Sequence, residues 1–440
     1  MQVLRRLFPL PLLLVLAAAS PPLAAQRLTI DIVDGVPTAL PIAVVPFAFE
    51  ASAPPPEHDI AAIIRNNLNR SGQFRALPLE DMIERPVRHA DVRFATWRLL
   101  KQDFLLIGRV LDGDPGEYRV EFELFDVAKQ VRMLGQAMIG RSAEIRSIAH
   151  QISDIVYEAI LGIPGAFFTR IAYVTSVRRP EGMQYTLMVA DADGFNPREV
   201  VSSREPLLSP AWSPDGRRIA YVSFERGNSA IFVQELATGR RELLSAFPGI
   251  NGAPSFSPDG RRLALTLSKD GNPEIYVLDL ETREFTRLTR HFAIDTEPVW
   301  TPDGREIIFT SDRAGKPQLY RMPASGGEAV RMTFQGEYNA RASVAFDGRR
   351  VAMAQGNGNV YRIVILDRSL GEPGEVRVIS LGPLDESPSF APNGSMVIYA
   401  SRDQGRGVLH AVSADGRVRQ RLVLAEGDVR EPAWSPLRPR

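Results

Sequence analysis

Six times along its second half this chain returns to nearly the same seven residues, Pro-x-Trp/Phe-Ser/Thr-Pro-Asp-Gly. The copies begin at Pro210, Pro254, Pro298, Ala342, Pro388 and Pro432, with spacings of 44, 44, 44, 46 and 44 residues. A period in the forties, built from short strands, is the signature of propeller blades. Within each copy, proline presets φ at the second turn position, aspartate suits the third, and glycine accepts the positive φ that re-enters a strand. Pro-x-Trp upstream reads as a buried inner strand. Downstream come Arg218 to Ser223, Ala230 to Leu236 and a short outer strand near Glu242 to Leu244. Four strands and their connections fill the period.

The ends of the repeat predict how the ring closes. The copy at Pro432 has no room for the strands that should follow it, whereas Arg170 to Ser176 reads as a second strand with no first strand before it. Ala433-Trp-Ser435 is therefore expected to complete the blade begun at residue 170, which gives six blades and leaves no long free edge. The eroded copy, Ala342-Ser-Val-Ala-Phe-Asp-Gly348, marks where packing between blades is expected to be weakest.

Ahead of the propeller the chain changes character. Residues 1–25 read as a signal peptide: Arg5 and Arg6, a short apolar run from Leu7 to Ala19, and small residues up to Ala25. Residues 26–163 read as an α/β domain. A strand is expected at Pro41 to Phe47 and helices at Asp59 to Arg70 and Ala90 to Gln102. Strands follow at Phe104 to Val110, Tyr118 to Phe125 and Val131 to Ile139, then a long amphipathic helix from Ala143 to Leu161, ended by Gly162 and Pro164. The short link Gly162-Ile-Pro-Gly165 predicts that this domain touches the propeller, residues 167–440.

Composition excludes several classes of function. Lys+Arg and Asp+Glu are equal at 52 each, so no basic footprint for nucleic acid exists. No run approaches the roughly 20 apolar residues of a bilayer span, and the chain has no cysteine. The mature protein is read as an exported, soluble monomer. His58, His89, His150, His291 and His410 lack metal-ligand spacing, so neither metal nor other cofactor is expected. No Gly-x-Ser-x-Gly elbow occurs, and Gly356-Asn-Gly358-Asn359 reads as a blade connection without a phosphate-loop lysine. A propeller that gates a separate hydrolase domain needs about 200 further residues. An enzyme is therefore not expected; the competing reading is a periplasmic hydrolase or lyase with its site in the central channel.

A signal peptide, an α/β domain, the junction Gly165-Ala-Phe-Phe-Thr-Arg-Ile-Ala-Tyr-Val174 and six Pro-Asp-Gly blades together resemble the TolB family, periplasmic propeller proteins of the Tol-Pal system of Gram-negative bacteria. Leu208 to Gly216, Asn251 to Pro254, Thr296-Glu-Pro298 and Ala391 to Tyr399 match as well, and the likeness covers essentially the whole mature chain. The resemblance implies a periplasmic location and binding of the Pal lipoprotein at the propeller face near the channel mouth. It also implies binding of the TolA C-terminal domain through the mature N-terminus, and use of the propeller surface by some colicin-type toxins. The implied role is outer-membrane integrity and invagination during cell division.

Loops just before each motif proline are expected to ring that mouth. The residues expected at the Pal contact are Leu208, Ser209, Asn251, Ala253, Thr296, Glu297, Arg341, Glu386, Ser387 and Glu431; Ile250 stands where some family members carry histidine. Glu297→Arg is expected to abolish Pal binding, unless Glu297 only caps loop amides. For TolA the expected residues are Gln26, Arg27, Leu28, Thr29, Ile30, Asp31, Ile32 and Val33. Leu28, Ile30 and Ile32 alternate with polar residues, a pattern that suits addition to a sheet edge of TolA or packing within the chain's own fold.

Overall fold

The computed structural model describes residues 29–31, 39–422 and 427–439; the expected signal peptide lies outside the described residues. The first part contains strands β1 (Thr29–Asp31), β2 (Leu40–Val44), β3 (Ala48–Phe49), β4 (Phe74–Ala76), β5 (Phe104–Asp112), β6 (Glu117–Asp126) and β7 (Val131–Arg141). Its helices are α1 (Ile60–Arg70), α2 (Phe94–Leu99) and α3 (Ile145–Leu161). A mixed sheet runs in the order β4-β2-β5-β6-β7, with β3 beside β5.

Apolar periodicity seats α1 and α3 on one face of this sheet. Ile60, Ile64, Leu68, Ile148, Ile152 and Val156 pack there against Ile42, Leu106, Val120 and Phe122. Trp97 of α2 covers part of the other face with Leu105, Ile107 and Phe125. The Asp59 carboxylate caps α1 by accepting from the Ala62 amide at 3.1 Å, and Gly162 ends α3 at φ 74°. The helix expected over Ala90 to Gln102 is broken. Val92 and Arg93 are extended, so a 3-10 turn at His89–Asp91 is separated from α2. The three-residue strand β4 carries too little periodicity to be read from sequence.

Blade 1 combines Asp428–Trp434 with Arg170–Arg179, Gly182–Asp191 and Arg198–Ser203. Blades 2 to 6 follow in order, with inner strands Leu207–Trp212, Asn251–Phe256, Asp295–Trp300, Tyr338–Val344 and Glu386–Phe390. The closing strand pairs antiparallel with Arg170–Arg179, placing Val429 opposite Thr175 and Trp434 opposite Ile171. The ring of six blades is thus closed as the repeat ends imply.

Motif residues hold one blade to the next. In the turn of blade 3, Ser257 Oγ accepts from the Arg262 amide at 2.9 Å, and the Gly260 amide donates to Ser257 O at 2.8 Å. Trp300 Nε1 donates to Ser255 O of the preceding blade at 3.1 Å, and Trp212 Nε1 to Ala433 O at 3.0 Å. An arginine two positions after the motif glycine lies over the aromatic ring of the following blade. Arg218 covers Phe256 at 5.6 Å, Arg262 covers Trp300 at 4.7 Å and Arg350 covers Phe390 at 5.9 Å, each a cation–π contact of about 0.5–2 kcal/mol.

The seam between blades 4 and 5 lacks both halves of that pair: Val344 of the eroded copy replaces the aromatic, and Glu306 of the copy before it stands where the arginine would be. The seam between blades 4 and 5 is filled by Ile308, Leu319, Met332, Val351, Met353, Val364 and Leu366, with no aromatic ring in its buried core among the described residues.

The two parts of the chain touch closely. Asp154 of α3, buried, accepts from the Phe167 and Phe168 amides at 2.7 and 3.1 Å. Arg70 donates to Ala192 O and accepts, through its carbonyl, from Gln420 Nε2. Asn393 of the blade 6 turn donates to Pro164 O at 2.9 Å. A Cβ on Gly165 would stand 2.5 Å from Asp154 Cα, so only glycine lets the link pass this close to α3. The first part therefore lies on the side of the ring that carries the motif turns.

Candidate functional site

Each inner strand of the propeller carries a bulge, which sits at the first motif position, proline in five blades and Ala342 in blade 5. Register shifts fall between Leu208 and Ala211, Gly252 and Ser255, and Thr296 and Val299, and recur at the same place in the other three blades. An unpaired position suits proline, which has no amide to lose from the ladder. The residue before it is left-handed in all six blades: Ser209 (φ 50°), Ala253 (47°), Glu297 (55°), Arg341 (56°), Ser387 (54°) and Glu431 (55°). None is glycine, so each position stores about 1–2 kcal/mol of strain.

This corrects the expected geometry. The inner strands start before the proline, not at it, and these six residues are not loop residues at a mouth. They form a collar within the channel, lining a cavity of about 340 Å³ that extends to the motif prolines.

Arg341 spans the collar. Its guanidinium lies 2.9 Å from Glu431 Oε1 and 3.2 Å from Glu297 Oε1, and donates to Ser387 Oγ at 2.6 Å. Burial disfavours the charged guanidinium, but the Glu431 and Glu297 carboxylates outweigh it and hold its pKa above the ordinary value. The same carboxylates receive backbone amides from the next blade round: Arg341 N donates to Glu297 at 3.0 Å, and Ser209 N to Glu431 at 3.1 Å. Glu297 thus caps an amide, as its alternative reading has it, and also pairs with Arg341. Reversing its charge sets two guanidinium groups together, so Glu297→Arg perturbs the collar as well as any contact made there.

The other expected residues scatter in role. Asn251 is fully buried; its side chain accepts from Ser245 Oγ and the Phe247 amide and donates to Phe247 O, which fixes the connection between blades 2 and 3. Leu208 is half-buried against the core between those blades. Thr296 meets Thr266 Oγ1 at 3.3 Å, and Glu386 is exposed.

The connections that enter the inner strands ring the mouth facing away from the first part of the chain. Sequence reasoning passed over most of what they carry. Ile250, Phe292, Ile294, Phe334, Leu381 and Leu384 are exposed large apolar residues on four successive connections, and Phe292 is 89% exposed. Its loop is nonetheless held firmly. The His291 amide donates to buried Glu274 at 2.7 Å, the Ala293 amide to His291 Nδ1 at 3.0 Å and the Ile294 amide to Asp312 at 2.8 Å. A fixed loop that presents an apolar ring to solvent is the mark of a docking surface. Only Ile250 drew notice in the sequence, because hydropathy alone does not separate a rim residue from a core residue.

Of the expected N-terminal segment, Thr29, Ile30 and Asp31 form β1, which pairs antiparallel with Arg419–Arg421 on the outer strand of blade 6. Gln26, Arg27, Leu28, Ile32 and Val33 lie outside the described residues.

His150, Asp191 and Asp193 bring candidate metal-ligand atoms within 4.8 Å of one another between α3 and blade 1. Their hydrogen bonds argue against a metal. Ser153 Oγ donates to Ala149 O and so accepts from Asn67 Nδ2, and the same Asn67 amide nitrogen donates to His150 Nδ1 at 2.9 Å. The imidazole proton is therefore on Nε2, which faces Asp193 at 3.7 Å and has no hydrogen-bond partner among the described residues. Arg146 occupies Asp193 at 2.6 Å, making the group an interdomain latch.

Burial pushes the His150 pKa down to about 3. The unfolded chain takes up this proton near pH 6.5 and the folded chain only near 3, so stability falls as pH drops below 6.5, by about 1.4 kcal/mol per unit. A melting temperature that declines between pH 6.5 and 5 is expected, with a flatter slope in His150→Gln; equal slopes in the two proteins refute it.

Comparison with known proteins bears on both parts of the chain. Residues 28–133 match the model of the TolB amino-terminal domain, and residues 157–438 that of the TolB beta propeller domain. The chain is 64% identical over 434 residues to the Tol-Pal system protein TolB of Xanthomonas euvesicatoria pv. vesicatoria, covering 98% of this chain and 99% of the relative. It is 65% identical over 413 residues to that of Xanthomonas oryzae pv. oryzae, covering 94% of each. Among solved structures it is similar to TolB from Acinetobacter baumannii, at 41% identity and a TM-score of 0.85, over 93% of this chain and all of that one.

Proposed function

The chain belongs to the TolB family, non-enzymatic components of the Tol-Pal system, and from that membership we propose that its propeller binds the Pal lipoprotein at the apolar mouth. The mature N-terminal segment binds the C-terminal domain of TolA. Acting from the periplasm, the protein links the two partners, so that the outer membrane stays attached to the wall and is drawn inward at division. Colicin-type toxins that reach the propeller meet the same mouth.

The observation that carries this reading is the arc of Ile250, Phe292, Ile294, Phe334, Leu381 and Leu384, fixed in place yet uncovered. Buried apolar anchors dominate such interfaces. The collar lies deeper and supports the rim through Arg341, Glu297 and Glu431. The pairing of β1 with blade 6 supports a docked state of the N-terminal segment, which must leave that edge for TolA to take it up. Pal shifts this balance only if it binds the docked and free states differently.

Calorimetric titration with soluble Pal tests the rim. Phe292→Asp is expected to weaken binding by about 2 kcal/mol or more, roughly thirtyfold, while removal of residues 26–33 spares Pal and abolishes TolA binding. Unchanged Pal affinity in a folded Phe292→Asp protein refutes the rim, and retained TolA binding in the deletion refutes the segment.

A further inference from the structure

The strand β7 ends the mixed sheet, and no strand pairs with its outer edge among the described residues. It is eleven residues long. Natural edge strands are usually short or blunted by charge, proline or cover. Here Met133-Leu-Gly-Gln-Ala-Met-Ile-Gly140 contains neither charge nor proline. Met133 and Ile139 are exposed, as are Gly135, Gln136 and Ala137 between them.

The stretch is also complementary to itself. Laid antiparallel against an identical strand with the two-fold axis at Gln136, Met133 meets Ile139, Leu134 meets Met138, Gly135 meets Ala137 and Gln136 meets Gln136. Every pair is matched in size and polarity. Arg132 falls opposite Gly140 and Arg141 opposite Val131, so no like charges oppose each other.

We propose that β7 pairs with β7 of a second copy of this chain, antiparallel about Gln136, joining two sheets into one. The contact is isologous and closes on itself, so it gives a dimer and not a filament. It covers less than the roughly 1,200 Å² of standard interfaces, so association is weak and depends on high local concentration. The monomer expected from sequence is then the dilute state.

The absence of native cysteine makes a direct test possible. Directly opposed residues in antiparallel strands have Cα atoms about 4.5–5.5 Å apart, within the range of a disulfide. In the full mature chain, Gln136→Cys is expected to form disulfide-linked dimers under mild oxidation at least about tenfold faster than Ile139→Cys, which the axis separates from its own copy. Adding Met133→Lys and Ile139→Lys to Gln136→Cys opposes like charges twice and slows cross-linking by about tenfold. Adding Met133→Lys and Ile139→Glu opposes unlike charges and preserves the rate. Equal rates for the two single cysteines overturn the proposal, as does a charge pattern without effect or a loss of cross-linking in both charged variants.

Discussion

A chain that stops before Asp428 is expected to lose the cooperative unfolding transition of the propeller. The strand Asp428–Trp434 is the inner strand of blade 1 and supplies the ladder for Arg170–Arg179. Without it, Val429 leaves the core between blades 6 and 1. Trp212 Nε1 loses its acceptor at Ala433, and Thr169 loses Trp434 Nε1 at 2.8 Å. The collar loses Glu431, one of the two carboxylates on Arg341. Together these exceed about 5 kcal/mol, a large share of the stability of a typical domain. Urea denaturation followed by circular dichroism checks the prediction, and a truncated chain that unfolds in one transition at the full-length midpoint refutes it.

The second large effect is expected at the joint between the two parts. Asp154→Ala leaves the buried amides of Phe167 and Phe168 without acceptors, at about 1–3 kcal/mol for each unsatisfied group and so about 3 kcal/mol in all. The space about Gly165 is fitted to this side chain. Loss of the carboxylate therefore frees the link as well as destabilising it. Scanning calorimetry is expected to resolve two transitions in the variant and one in the parent, and limited proteolysis to cut the variant faster between residues 162 and 169. A single transition at the parental temperature refutes it. Asp154→Asn, which keeps one acceptor oxygen, is expected to lie between the two.

Most of the ring was legible because its information is local. Proline, aspartate and glycine fix a turn wherever they occur together, and counting turns counts blades. The closing strand was legible for the same reason, as a first strand and its missing partners stand at opposite ends of the repeat. The collar was not. A residue before proline ordinarily reads as extended, and Arg341 before Ala342 carries no turn signal, so nothing in the letters places Ser209, Ala253, Glu297, Arg341, Ser387 and Glu431 in left-handed conformations within a strand. That geometry comes from the bulge, which depends on pairing with the next strand.

The rim was hidden for another reason. Phe292, on the connection into blade 4, and Phe309, in a strand of that blade, are both phenylalanines, yet one is almost fully exposed and the other fully buried. The difference lies in the hydrogen bonds of His291, Ala293 and Ile294, which no hydropathy pattern records. The paired loss of arginine and aromatic at Glu306 and Val344 was present in the sequence throughout. It acquires meaning only once the stacking across the seam is known.

The order of strands in blade 1 also sets a clock. Trp434 pairs with Ile171, and nearly the whole propeller lies between them in the chain. A polypeptide made from its N-terminus can assemble blades 2 to 6 one after another from local hairpins, but blade 1 waits for Asp428–Trp434, which follow all five in the chain. Until they arrive, Arg170–Arg179 presents an open edge on a nascent chain, the kind of transient surface from which misassembly begins. Such distant pairing makes ring closure a late and slow event in folding. Protection during synthesis therefore matters most for the residues that begin the ring.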